Sequence, residues 1–191
     1  MKKNPELTAR TRANLMEAFW SLYSTRKIEQ ITISQITTKA GYNRSTFYEY
    51  FIDIYDVLYQ LENDLLTYIK QTVVKGNKKS FRDDIIETAF DIYEGRGTYL
   101  SVLLTENGDP SFAEKMKATV SPVMIEAFDL SPEDIHTYYI LEFALSAVIA
   151  TMSHWYKTNK SLNITEVGEM VESMLRSGVL PLVKKYSVIN K

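Results

Sequence analysis

Apolar residues recur every three or four positions along almost the whole of this chain, and nowhere do they alternate for long. That spacing matches the 3.6-residue period of an amphipathic helix, not the two-residue period of a half-buried strand. An all-α fold follows. Leu15, Ala18, Phe19, Leu22 and Tyr23 form the first stripe, in a helix over about 8–25. Asn4-Pro5 precedes it, with a proline pre-set for a first turn. Thr32-Ile33-Ser34-Gln35 reads as a capping box that opens a helix over 33–40, and Gly41 ends it where a left-handed residue costs least. Asn43 is placed to cap a third helix over about 44–50, and Asp53 a fourth over about 54–74.

Beyond Gly76 the spacing predicts five more helices. One runs from Ser80 to about Glu94 and stops at Gly95-Arg96-Gly97. Short and longer helices follow over 98–105, 111–128 and 131–159, the last opened by Ser131 and Pro132. A final one runs from about Thr165 to Gly178 or Pro181. The expectation is therefore nine helices with no internal repeat. They fall into a helix-turn-helix domain at 1–53 and a helical domain at 54–191.

The stretch "AGYNRSTFYEYF", residues 40–51, has a composition that suits neither a core nor a solvated surface. Helix, short helix, glycine turn, short helix is the helix-turn-helix arrangement. Phe47 and Phe51, four apart, supply the buried face of its last helix. The opposite face fits a major groove, with N-terminal residues reaching base edges first. Arg44 can fork onto guanine O6 and N7, while Asn43 and Thr46 can bond bases or phosphates. Tyr42, Tyr48 and Tyr50 offer phenols to phosphate, and Thr32 offers a hydroxyl at a helix start. Charge agrees. Residues 1–48 hold eight basic and three acidic side chains, a net of +5, in a chain whose total is −2. A basic head on an acidic body points to a polyanionic partner for the head.

The segment "TRANLMEAFWSLYSTRKIEQITISQITTKAGYNRSTFYEYFIDIYDVL" resembles the N-terminal domain of the TetR family of transcriptional regulators. Thr32-Ile33 matches that family's helix-2 start and Ala40-Gly41 its turn, while Thr46-Phe47-Tyr48 and Tyr50-Phe51 match its recognition-helix signature. Two departures stand out. Ile54 occupies the place of a usual phosphate-binding lysine, and Ser45 that of a frequent glycine or alanine. The later "LLTENGDPSF" connection and "HWYK" also resemble the family in architecture. The resemblance implies a ligand-responsive regulator, a repressor that binds a palindromic double-stranded DNA operator as a homodimer and is released by a small-molecule inducer. It also implies a ligand cavity in the C-terminal helices. Tyr68, Phe90, Tyr93, Tyr99, Met116, Met124, Phe128, Tyr138 and Phe143, apolar and adaptable with a few phenols, suit a largely apolar effector.

Residues 135–156 are apolar almost all round, so this helix needs cover on every side. One subunit of 191 residues supplies too little of it. Ala147, Ala150, His154 and Trp155, with Met170, Met174 and Leu175 of the last helix, are therefore expected to form a four-helix homodimer interface. A C-terminal domain that binds a protein instead of a small molecule is the alternative. An all-α enzyme is a further one, set against by the sequence. It has no glycine-rich phosphate loop, no cysteine and no HExxH, and no cofactor, metal or catalytic residue is expected. His136 and His154 share a helix face but stand about 27 Å apart at 1.5 Å per residue, too far to ligate one metal within a subunit. The start of the chain lacks an apolar signal region, and the most apolar window, 138–152, is shorter than the roughly 20 residues a bilayer span needs. A cytoplasmic protein without a membrane partner is the expectation.

Overall fold

The computed structural model describes residues 5–77, 85–106 and 108–178. Within them the chain is all helical: α1 (Pro5–Tyr23), a single 3-10 turn (Ile28–Gln30), α2 (Ile33–Ala40), α3 (Arg44–Tyr48), α4 (Ile54–Asn77), α5 (Ile85–Leu103), α6 (Phe112–Ala127), α7 (Ile135–Lys157) and α8 (Ile164–Ser177). It divides into two compact units, Met1–Leu65 and Leu66–Lys191.

The first unit closes its own core. Leu15, Phe19, Ile36, Phe47 and Val57 are fully buried, one or two from each of its four helices. The capping box forms as the sequence dictates: Thr32 Oγ1 accepts from Gln35 N at 3.3 Å and Gln35 Oε1 from Thr32 N at 2.9 Å. Gly41 adopts φ 75° and turns the chain into α3, a conformation in which a Cβ would be strained. Asp53 opens α4 by accepting from Asp56 N at 2.8 Å. The division falls within α4, later than the expected break at 53/54. The cause is that Val57, Leu58 and Leu61 are buried, while Arg12 of α1 donates to Gln60 Oε1 at 2.9 and 3.0 Å and reaches Asp64 at 3.3 Å.

In the second unit α5 packs on α7 and α8, and α6 on α7. Eight α-helices stand among the described residues where nine were expected, because Gly95 and Gly97 lie inside α5 and do not stop it. A helical glycine costs about 1 kcal/mol against alanine. Here close packing uses the missing side chains. A Cβ on Gly95 would collide with the Tyr68 hydroxyl, and one on Gly97 would lie 2.8 Å from the Tyr93 ring. The expected start at Ser80 lies outside the described residues. Asp134, not Ser131, caps α7, its Oδ1 accepting from His136 N at 2.9 Å.

α7 runs for 23 residues, longer than its most apolar window, and by length and composition it is long enough to cross a bilayer. Only Thr137, Leu141, Trp155 and Tyr156 of it are buried. Tyr139 is 73% exposed and Phe143 67%. At mid-helix Glu142 pairs with Lys117 of α6 at 2.6 Å, and Lys117 also reaches Glu114 at 2.8 Å. Bonds to Glu114 and then Glu142 raise the Lys117 ammonium above its ordinary value, and Lys117 in turn holds Glu142 below its own.

Candidate nucleic-acid interface

The outer face of α3 is assembled by what the inner face buries. Phe47 is fully buried and packs 5.3 Å from Phe51, centroid to centroid. With Phe47 inward, Arg44 and Tyr48, one helical turn apart, point outward, and Tyr48 is 60% exposed. Ser45, Asn43 and Thr32 are exposed beside them, and Thr46 and Tyr50 are half-buried. The helix spans five residues and ends sooner than position 50. Asn43 holds the cap position in extended backbone, but its side chain makes no capping bond. That expected role is corrected. Tyr42 is half-buried and its hydroxyl accepts from Asn14 Nδ2 of α1 at 3.1 Å, which orients the phenol.

Sequence reading missed the bracing behind this face. Gln60 takes the Arg12 guanidinium on its oxygen and donates from its nitrogen to Tyr50 O at 3.3 Å. One side chain thus joins α1, α4 and the end of the recognition segment. Nothing in the spacing of residues 12, 50 and 60 announces it, since the bonds span up to 48 positions.

The expected effector residues divide into two groups. Phe90 lines an apolar space between α5, α7 and α8 together with Val148, Met152, Val167 and Val171, of about 40 Å³. Tyr93 stands 6.3 Å from Phe90 and 5.3 Å from Trp155. The Tyr68 hydroxyl donates to Asp91 O at 3.2 Å beneath the Arg96 guanidinium, 4.8 Å from the ring. Met124 is buried, and Tyr99, Met116 and Phe128 are half-buried. Tyr138 and Phe143 differ: they are 52% and 67% exposed, on the outside of α7. The Tyr138 hydroxyl donates to Pro132 O at 2.9 Å, and the ring lines an open groove between α6 and α7.

Of the expected interface residues, Ala150 and His154 are exposed, and Ala147, Met170, Met174 and Leu175 are half-buried. Trp155 is instead a core residue of its own subunit, 4% exposed, with its indole N–H donating to Leu162 O at 2.8 Å. The side chain turns inward because position 155 follows 137, 141 and 148 along the packed side of the helix. Around it lies a cluster the sequence did not disclose. The Lys160 ammonium sits 5.3, 5.6 and 5.9 Å from the centroids of Tyr93, Trp155 and Tyr156. Burial, then the neighbouring Tyr93, pushes the Tyr156 phenol well above its ordinary range.

Residues 82–177, half of the chain, match a TetR-type family described as a transcriptional regulator C-terminal region. The chain belongs to the TetR family. No curated protein matches the sequence. Among solved structures, this TetR-family chain is similar to the TetR transcriptional regulator from Streptococcus agalactiae 2603V, with 21% identity, 89% of this chain and 96% of that one covered, and a TM-score of 0.67. The fatty acid degradation regulator FadR from Bacillus halodurans gives 14% identity, coverage of 94% and 98%, and a TM-score of 0.71. FadR from Bacillus subtilis, solved in complex with stearoyl-CoA, gives 15%, 87% and 98%, and 0.63. These likenesses establish the TetR fold over both units.

Proposed function

We infer that this transcriptional regulator is a cytoplasmic homodimer that represses by binding a palindromic operator and is released by a small, largely apolar effector. The observation that carries the DNA-reading role is the outer face of α3. Arg44, Ser45 and Tyr48 stand exposed behind a left-handed glycine turn, on a helix whose opposite face is anchored by Phe47. Arg44 reads guanine or phosphate, Tyr48 and Tyr42 contact backbone and thymine methyls, and Asn43, Thr46, Tyr50 and Thr32 complete the footprint. Selection of bound fragments from random DNA tests this reading. An enriched inverted repeat is the expected outcome, and no enrichment over bulk DNA would refute it.

An effector site in the second unit is supported by Phe90, Tyr93, Met124 and Tyr68, and by the FadR relative that holds an acyl thioester. The apolar space of about 40 Å³ has room for roughly one water, far below the few hundred Å³ of a ligand pocket. Effector entry therefore means opening the contact of α5 with α7 and α8. An effector that favours the opened arrangement shifts the population away from the DNA-binding one. Tyr68 of α4 bonds α5, so Tyr68→Ala is expected to change the effector response while leaving effector-free DNA binding nearly intact. A second reading has its own observation. Two open grooves of about 340 and 350 Å³ flank Lys117 between α6 and α7 and would suit a protein partner. An effector-response assay with acyl thioesters and acyl carboxylates separates the two.

A further inference from the structure

Positions 136, 140, 143, 147, 150 and 154 of α7 form one stripe, because alternating steps of four and three keep to one face of a helix. They are His136, Ile140, Phe143, Ala147, Ala150 and His154, and all but the half-buried Ala147 are exposed. The steps read the same from either end. Two copies of α7 can therefore run antiparallel about a dyad midway between Phe143 and Ala147. In that register Phe143 lies over the partner's Ala147 and Ile140 over the partner's Ala150, bulky against small at each level. His136 lies over the partner's His154 at one end, and the same pair repeats at the other.

His136 is already oriented. Its Nδ1 lies 2.7 Å from Asp134 Oδ1, and the same oxygen accepts from its backbone N–H at 2.9 Å. With Nδ1 engaged by the Asp134 carboxylate, Nε2 is the ring nitrogen left to a metal, the arrangement that carboxylates impose on metal-bound histidines. Within one chain, no group of three or more His, Cys, Asp or Glu is placed to hold a metal among the described residues. The two imidazoles of one copy are about 27 Å apart. The dyad removes that separation by pairing each with its opposite number.

We propose that the homodimer holds a borderline divalent cation, of the Zn²⁺, Ni²⁺ or Cu²⁺ class, at each end of the α7 seam, between Nε2 of His136 and the imidazole of the partner's His154. This inference rests on the homodimer reading above. Neutral imidazoles suit these ions, water fills the open coordination positions, and a shallow crossing of about 20° keeps both pairs within reach. Because the site exists only in the dimer, the metal tightens association by linkage.

The test uses the full chain, zinc titrated by calorimetry in chelator-free buffer, and sedimentation with and without zinc. The wild type is expected to bind two Zn²⁺ per dimer and to dissociate about tenfold less readily with zinc present. His136→Ala and His154→Ala, both at exposed positions, each remove both sites in a homodimer and abolish the tightening. Heterodimers of the two variants rebuild one intact pair, so mixing them restores zinc binding that neither has alone. Zinc uptake unchanged in either single variant, or no restoration on mixing, overturns the proposal. So does a wild-type dimer that takes up no zinc, and these outcomes leave the homodimer reading standing. A chain that sediments as a monomer at every concentration removes the homodimer and this site together.

Discussion

The two units handle apolar surface differently. The first buries Leu15, Phe19, Ile36, Phe47 and Phe51 at 2% exposure or less. What it leaves outside at α3 is an arginine, a serine and a phenol, groups that water and DNA both satisfy. The second leaves Tyr139, Ile140 and Phe143 uncovered along one helix, at 73%, 56% and 67%. A contiguous apolar face of this kind is an interaction surface, whereas a single exposed leucine needs no explanation. The first unit exposes Ile52, Tyr55 and Tyr59 around the start of α4, at 79%, 54% and 59%, whereas the second exposes its rings along the first half of α7.

The strongest way to break this contrast is to charge the uncovered face. Ala147→Glu places a carboxylate at the centre of the seam, where an unpaired buried charge costs about 3–5 kcal/mol. Sedimentation of the variant should show monomer at concentrations where wild type is dimeric, with helical content unchanged by circular dichroism. An intact dimer would mean that α7 is covered by something other than a second copy.

A smaller effect is expected at α3. The double variant Arg44→Ala, Tyr48→Ala removes exposed side chains, so its melting temperature should stay near wild type. Its affinity for the selected operator should fall by about 1–3 kcal/mol for a lost base contact, more than its affinity for random DNA. Equal operator affinity in both proteins would strip the outer face of its reading role.

Thr32→Ala probes the same unit from inside. Losing the capping box leaves Gln35 N without its acceptor and should lower stability by about 1 kcal/mol, read from denaturant midpoints. Loss of operator affinity beyond that caused by unfolding would add a phosphate contact to the cap.

The least effect should come from the exposed ion pair on α6 and α7. Lys117 and then Ser146 hold Glu142 below its ordinary value, so its stabilisation is present above the unfolded glutamate range and disappears as pH falls through the depressed folded value. Lys117 is raised, so its share is present below the ordinary lysine range and disappears as pH climbs through the raised value. Glu142→Gln should accordingly melt a little lower than wild type near pH 7, with the gap narrowing below about pH 4. A gap that persists at pH 3 would assign the difference to packing instead of charge.

Most local signals were legible where neighbours in sequence are neighbours in space, although the Asn43 side chain makes no capping bond. The capping box at Thr32–Gln35, the left-handed Gly41, the Phe47/Phe51 anchor and the Asp53 cap each depend on residues no more than four apart, and each stands where its spacing placed it. Signals failed where the partner was distant. Gly95-Arg96-Gly97 reads as a stop from within its own segment, and only Tyr68, 27 positions earlier, shows that Gly95 makes room for a packed ring. The start of α7 is a local miss: Asp134, three residues past Ser131, takes the cap by accepting from His136 N.

By itself, then, the sequence determined the helical class, the helix-turn-helix, the residues of its outer face and the apolar excess of α7, because periodicity and capping are properties of a single segment. Tertiary structure decided that Trp155 belongs to the core while Phe143 and Tyr138 lie outside. It also decided that Arg12 and Gln60 brace the recognition segment, and that Lys160 rests on three rings. Those outcomes turn on which side of a helix meets its neighbours. A helix apolar on nearly every side carries no such instruction in its own pattern, so the direction of burial comes only from the helices packed against it.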